Sequence, residues 1–133
     1  MPKSSFRDLE VWKRSIDLTT LIYDLTAEFP RQETYGLSAQ MRRASVSVAS
    51  NIAEGSARGT RKDFRQFVKQ AAGSNSELQT QLVIARRLQF GPPEKTKAAE
   101  ALSIEVGRML SGLSSYLARE IRADRSMPPS TNN

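Results

Sequence analysis

The 133 residues are one domain's worth of chain, 38% hydrophobic and 26% charged, enough to bury one continuous core. There is neither cysteine nor histidine, which removes disulfides, most zinc and iron sites, and the Ser–His and Cys–His pairs that activate a nucleophile, so no cofactor, no metal and no enzyme are expected. The net charge of +6 lies wholly between Thr34 and Pro93, where nine bases meet three acids; segments 1–33 and 94–133 together carry as many acids as bases.

The first predicted helix covers about residues 7–28. Ser5 and Asp8 read as a weak capping box, and Phe6 is placed to pack back on the helix. Leu9, Trp12, Ile16 and Tyr23 form one stripe, widened by Leu18, Leu21, Ile22, Leu25 and Phe29. Pro30 ends it, because the residue before a proline avoids the α region.

The second helix is expected over 36–56, with Leu37, Met41, Ala44, Val48 and Ile52 on one face. Gly55 and Gly59 close it as positions where a positive φ is cheap. The third runs over 61–89 behind a Thr60 start signal with Asp63. It keeps a heptad seam of Phe64, Val68, Ala71, Asn75, Leu78, Leu82 and Ala85, in which Asn75 is the polar member that fixes register. Gly91-Pro92-Pro93 separates it from a fourth helix over 94–122. There Ala99, Leu102, Val106, Met109, Leu113 and Tyr116 make the seam, with Leu110 and Leu117 beside it, and Gly107 and Gly112 mark close helix approach.

Residues 126–133 are polar with two prolines and read as a disordered tail, leaving 1–125 as the domain. No segment alternates like a strand. Four amphipathic helices with short connectors give an all-α, up-and-down antiparallel four-helix bundle. No apolar run approaches the length of a membrane span and the start lacks a signal-peptide core, so a cytoplasmic protein with no membrane partner is expected.

The apolar pattern is wider than one bundle needs. Val11, Leu18 and Leu25 line up beside the main stripe of helix 1, and Phe67, Ile84 and Ile104 fall outside the seams of helices 3 and 4. A wide stripe fits a four-helix core, and it also fits self-association through exposed apolar surface.

Arg58, Arg61, Lys62, Arg65 and Lys69 recur at helical spacing, and Arg42 and Arg43 sit on helix 2 beside helix 3. Three readings of this basic face stand: a solvated surface, a phosphate-contacting interface for RNA or DNA, and a docking site for an acidic protein partner. Arginine suits phosphate because its planar fork donates two hydrogen bonds at once. No base-reading motif accompanies it, so nucleic-acid binding here would be backbone-driven and salt-sensitive. Ser47, Asn51 and Glu54 form a polar stripe on helix 2. Glu54 opposes the helix dipole and calls for a cation such as Arg58, Arg61, or a base on a neighbouring helix or subunit. Glu77, beside Asn75, is a second inward polar candidate, bonded to Thr80 or Gln81.

Four blocks carry a family resemblance: Phe6-Arg-Asp-Leu-Glu-Val-Trp12; Tyr35-Gly-Leu37 with Gln40-Met-Arg-Arg43; Ser47-Val-Ala-Ser-Asn-Ile-Ala-Glu-Gly55; and Glu77-Leu-Gln-Thr-Gln-Leu82. In this order they resemble the four-helix bundle proteins encoded in intervening sequences of bacterial large-subunit ribosomal RNA genes, over about residues 6–117. The chain is also similar to the accessory protein of diversity-generating retroelements, a basic pentamer that binds a reverse transcriptase and nucleic acid. The resemblance implies a bundle assembled as a ring-like homopentamer and raises nucleic acid as a partner. The chain departs from the family pattern at Ala49, where proline is common, at Asn75 and Ser76, where apolar residues or alanine are usual, and at Gln79, where glutamate is usual. The functional expectation is a non-enzymatic, homo-oligomeric bundle that binds nucleic acid through the basic face. The rival is a protein–protein scaffold that docks an acidic partner.

Overall fold

Four α-helices make up nearly all of residues 6–126, the part of the chain that the computed structural model describes. They are α1 (Glu10–Thr26), α2 (Leu37–Ser56), α3 (Arg61–Arg87) and α4 (Pro93–Ser126), with single 3-10 turns at Phe6–Asp8 and Arg31–Glu33. No strand occurs among the described residues. Helix α1 touches α2 and α4, α3 touches the same two, and the diagonal pairs do not meet. Side-chain bonds fix the directions: Thr26 with Arg42, Ser47 with Ser74, Asn75 with Ser103 and Arg14 with Glu105. A second contact in each pair shows the residue numbers running in opposite senses: Thr19 with Ser45 beside Thr26 with Arg42, Gly55 with Phe67 beside Ser47 with Ser74, Arg61 with Asp124 beside Asn75 with Ser103, and Asp24 with Lys95 beside Arg14 with Glu105, so all four adjacent pairs are antiparallel. This is the up-and-down square expected from the short connectors.

Helices α2 and α3 bury the faces their spacing announces: Met41, Ala44, Val48 and Ile52 on one, Val68, Ala71, Asn75, Leu78, Leu82 and Ala85 on the other. The other two are rotated from expectation. In α1 the core line is Val11, Ser15, Leu18, Ile22 and Leu25, whereas Ile16 and Tyr23 of the expected stripe are 37% and 44% exposed. In α4 it is Ala99, Ser103, Val106, Leu110 and Leu117, and Tyr116 is exposed. Each line includes a fully buried serine whose hydroxyl is satisfied inside the bundle, by the Val11 carbonyl for Ser15 and by Asn75 for Ser103.

The helix ends match the sequence unevenly. Thr60 accepts the Asp63 N–H at 3.1 Å, as expected of a cap. Ser5 and residues 127–133, the rest of the expected tail, lie outside the described residues. Helix α4 continues to Ser126, past its expected end near 122, since no glycine or proline occurs from 113 to 127. Gly55 and Gly59 do not have positive φ. Gly91 does (72°), in the α3–α4 turn, and a Cβ there would stand 2.8 Å from a Leu25 methyl. Gly55 lies inside α2, where a Cβ would be 2.5 Å from Phe67 Cβ; its role is close contact of α2 with α3.

Asn75 is 2% exposed and bonded to α4 in both directions. Its Nδ2 donates to the Ser103 carbonyl at 2.9 Å and its Oδ1 accepts from Ser103 Oγ at 2.8 Å. Gly107 makes room for it, since a Cβ there would be 3.1 Å from Asn75 Nδ2; Gly112 faces nothing within 4 Å and serves no such approach. Gln79 adds a donor to the same carbonyl at 3.3 Å. Glu77 proves exposed and accepts from Gln81, which is the buried member of that pair. Ala49 sits in an unbroken α2, without the proline common at that place in the resembled family.

Helix α1 is tied to α4 by Arg14 on Glu105 (2.8 and 3.2 Å) and by Lys95 on Asp24 and Glu28. The Arg14 hydrogen bond holds the Glu105 carboxyl below its ordinary value, and bonds to Glu28 and Asp24 hold Lys95 above its own. Because Arg14 stands opposite Glu105, the last turns of α4 extend beyond the start of α1. At that end the α3–α4 hairpin stands without α1 beside it.

Two glycine substitutions should act oppositely in urea unfolding followed by circular dichroism. Gly55→Ala should lower stability by about 1–3 kcal/mol, because Phe67 and Phe64 must move. Gly112→Ala should raise it by about 0.5–1 kcal/mol, because the site is open and helical.

Candidate nucleic-acid interface

The seven basic residues singled out in the sequence do not share one face. Arg42 turns toward α1: its Nε donates to Thr26 Oγ1 at 2.9 Å and its guanidinium lies 4.7 Å from the centre of the Tyr23 ring. Arg43 is exposed near the same end, lining a surface hollow with Ser47, Ser74 and Glu77. From Glu77 in that hollow to Arg65 is about 18 Å along α3. Periodicity placed Arg42 on α2 correctly, but could not say which neighbour it faces.

The remaining five gather at the α2–α3 turn and sort into two kinds. Arg58 is bonded to Glu54 at 2.9 Å and lies over the Phe67 ring at 4.9 Å. Arg61 reaches α4, with Asp124 at 2.8 Å and Glu120 at 3.8 Å. These two are neutralised. Lys62, Arg65 and Lys69 form no ion pair with a described residue. Arg65 is nevertheless fixed, because its Nε donates to the Ser114 carbonyl of α4 at 3.1 Å.

Lys62 and Arg65 line a cleft of about 250 Å³ between the first turns of α3 and the last turns of α4. Gln66 completes the α3 side; Ala118, Ile121, Arg122 and Arg125 form the α4 side. Arg122 and Arg125 likewise make no ion pair with a described residue. The cleft is thus flanked by unneutralised cations from two helices over an apolar floor. The acids of this part of α4, Glu120 and Asp124, are engaged by Arg61. Sequence reasoning missed Arg122 and Arg125 because it ended the fourth helix near 122 and counted 94–133 as balanced. The available signal was the spacing of Ala118, Ile121, Arg122 and Arg125 at i, i+3, i+4 and i+7 in a segment free of helix breakers.

The polar stripe on α2 is bonded within the chain. Ser47 Oγ meets Ser74 Oγ at 2.9 Å between α2 and α3, Asn51 Nδ2 donates to the Ser47 carbonyl and hydroxyl, and Glu54 takes Arg58, one of its expected partners.

The excess apolar surface lies on α1 and α2. Phe6, Trp12, Ile16, Val46, Ala49 and Ala53 line an open groove of about 310 Å³, with Phe6 set edge-on to Trp12 at 5.2 Å. Tyr23 and Val46, 44% and 42% exposed, carry the strip toward Arg42. On α3 and α4, Ile84 and Ile104 are exposed as expected, but Phe67 is half-buried against Gly55 and Arg58. No helix among the described residues is long and apolar enough to cross a membrane.

Comparison with known proteins places this geometry in context. The model of the 23S rRNA-intervening sequence protein family matches residues 7–112. A solved structure of a Bacteroides thetaiotaomicron protein of unknown function, from the S23 ribosomal protein family, superposes with a TM-score of 0.72 at 22% identity. That likeness covers 78% of this chain and 97% of the other, and it shows the fold. No curated protein matches the chain.

Like charges crowded at the cleft repel, and salt screens them over about 10 Å at 0.1 M. Without ligand, raising sodium chloride from 20 to 200 mM should raise the melting temperature of the protein. The rise should be smaller for Arg122→Ala/Arg125→Ala, read by differential scanning fluorimetry.

Proposed function

The chain belongs to the 23S rRNA-intervening sequence protein family, and from that premise we propose that it is a non-enzymatic bundle that binds nucleic acid through unneutralised cations and self-associates through its α1–α2 face. The observation that carries the reading is the sorting of charge at one end of the molecule. Arg58 and Arg61 are satisfied by Glu54, Glu120 and Asp124, while Lys62, Arg65 and Lys69 have no acidic partner among the described residues. Phosphate is the natural complement to such a group, because binding releases condensed counterions from the nucleic acid. The family's description names an intervening sequence of 23S rRNA, and RNA is accordingly the first nucleic acid to test. The reading is non-enzymatic because a chain without histidine or cysteine lacks the usual bases and nucleophiles.

Self-association rests on the groove along α1 and α2, where apolar side chains meet solvent in one continuous strip. Such strips mark partner surfaces, and a second copy of the chain is the partner proposed here, with five copies the number that the resemblance implies. Repeating the basic end in each copy would raise avidity without new contacts.

A filter-binding titration with a labelled 20-base-pair RNA duplex tests the first half. Binding at 50 mM salt should weaken at 200 mM by about tenfold or more; no binding at 50 mM ends the reading. Solution mass tests the second. The wild type should run as a multiple of 14.8 kDa. Val46→Glu, at a half-exposed site in the groove, should reduce it toward one copy with unchanged helical circular dichroism.

A further inference from the structure

We propose that the cleft between the start of α3 and the end of α4 is a cradle for one phosphodiester strand, gripped from both sides without regard to base sequence. The inference rests on the nucleic-acid reading above and goes further by naming the element recognised and two residues that the basic stretch of the sequence did not include. The cleft has cations on both banks, Lys62 and Arg65 from α3 and Arg122 and Arg125 from α4, over a floor of Ala118 and Ile121. Lys69 lies one further turn along the α3 bank. A strand lying in it would be approached by donors from either side, as a backbone with its charge in a line requires.

Three features make this more than a basic surface. First, the cations are unneutralised although acids are close by, since Glu120 and Asp124 are drawn to Arg61. Second, one of the four is held in place: the Arg65–Ser114 bond fixes its Nε and leaves the terminal guanidinium nitrogens for a ligand. Third, no aromatic side chain among the described residues lines the cleft. Proteins that hold single strands by their bases supply stacking rings, so recognition here falls on the backbone alone.

The length of the site follows from helix geometry. Lys62 to Lys69 spans about 10 Å along α3, and Ala118 to Arg125 the same along α4. At about 3.4 Å per phosphate along one strand of a duplex, that accommodates about three phosphates. The expected salt dependence is therefore a slope near −3 in log affinity against log salt, of which Arg122 and Arg125 account for about two units.

The test compares the wild type, Arg122→Ala/Arg125→Ala, and a control of equal charge loss, Arg31→Ala/Arg87→Ala. The control residues are exposed at the far end of the bundle. Each is titrated from 50 to 200 mM salt with a mixed-sequence RNA duplex and with single-stranded oligo-dT, after circular dichroism has shown the helices intact. The expected result is a slope reduced toward −1 for the cleft variant and unchanged for the control. A reduction in the oligo-dT arm identifies a single strand as the source of the backbone, and a reduction in the duplex arm alone identifies a duplex. If the wild type binds but both variants lose slope equally, or neither does, the cleft is not the site and the nucleic-acid reading stands without it. If the wild type binds neither probe at 50 mM, that reading fails and the cradle with it.

Discussion

Asn75 is the polar member of the α3 seam, and its buried amide is engaged in both directions by Ser103 of α4. That arrangement sets the register of the longest helix pair in the molecule. Sliding α4 by one turn would strand a buried amide and a buried hydroxyl, at a cost of about 1–3 kcal/mol for each unsatisfied group. The surface ion pairs between the same helices, Arg61 with Asp124 and Arg86 with Glu100, are exposed and worth about 0–1 kcal/mol each. The register is therefore chosen in the core, and the surface pairs follow from it. Gly107 belongs to the same device, since a side chain there would press on the Asn75 amide.

What the register sets at the distant end is a division of charge. With α3 and α4 locked, Arg61 meets Glu120 and Asp124, and the other flank of the hairpin brings Lys62 and Arg65 opposite Arg122 and Arg125. A helix that alternates acids and bases would ordinarily neutralise itself across such a seam. Here Glu120 and Asp124 lie four residues apart on one face of the last turns of α4, and Arg122 and Arg125 lie three apart on another, so acids and bases project to different sides. Helix α1 stops short of this region, and its own carboxylates, Glu10, Asp17 and Asp24, are engaged by Lys13, Arg14 and Lys95. The end is electropositive because the architecture spends its negative charge elsewhere.

Much of this was legible in the sequence. The four helices, their order and the polar position in the third seam follow from period and from Pro30, Thr60 and the Pro92-Pro93 pair, because those signals act locally. The rotation of α1 and α4 was not legible, for a physical reason. Where apolar residues cover more than half of a helix, composition no longer marks the buried line, and the decision passes to shape. Ser15 and Ser103 are fully buried, and a hydrophobicity pattern counts them against the core. The purpose of Gly55 was hidden likewise, since close contact with Phe67 is a property of two helices and a backbone preference belongs to one. The basic face dissolved for the same kind of reason. Spacing puts Arg42, Arg43 and Arg61 on their helices, but only packing decides that Arg42 covers Tyr23 and that Arg61 is neutralised.

The two halves of the functional proposal stand on different parts of the chain. The apolar groove is built from α1 and α2, inside the segment that matches the family model, apart from Phe6 at its edge. The α4 bank of the cleft lies beyond residue 112, where that match ends. The last turns of α4 stay helical because no glycine or proline interrupts residues 113–126, and their register against α3 is set by the Asn75–Ser103 contact further down the hairpin. A family scaffold thus fixes the direction of α4, and the chain's own last turns determine what charge that direction presents.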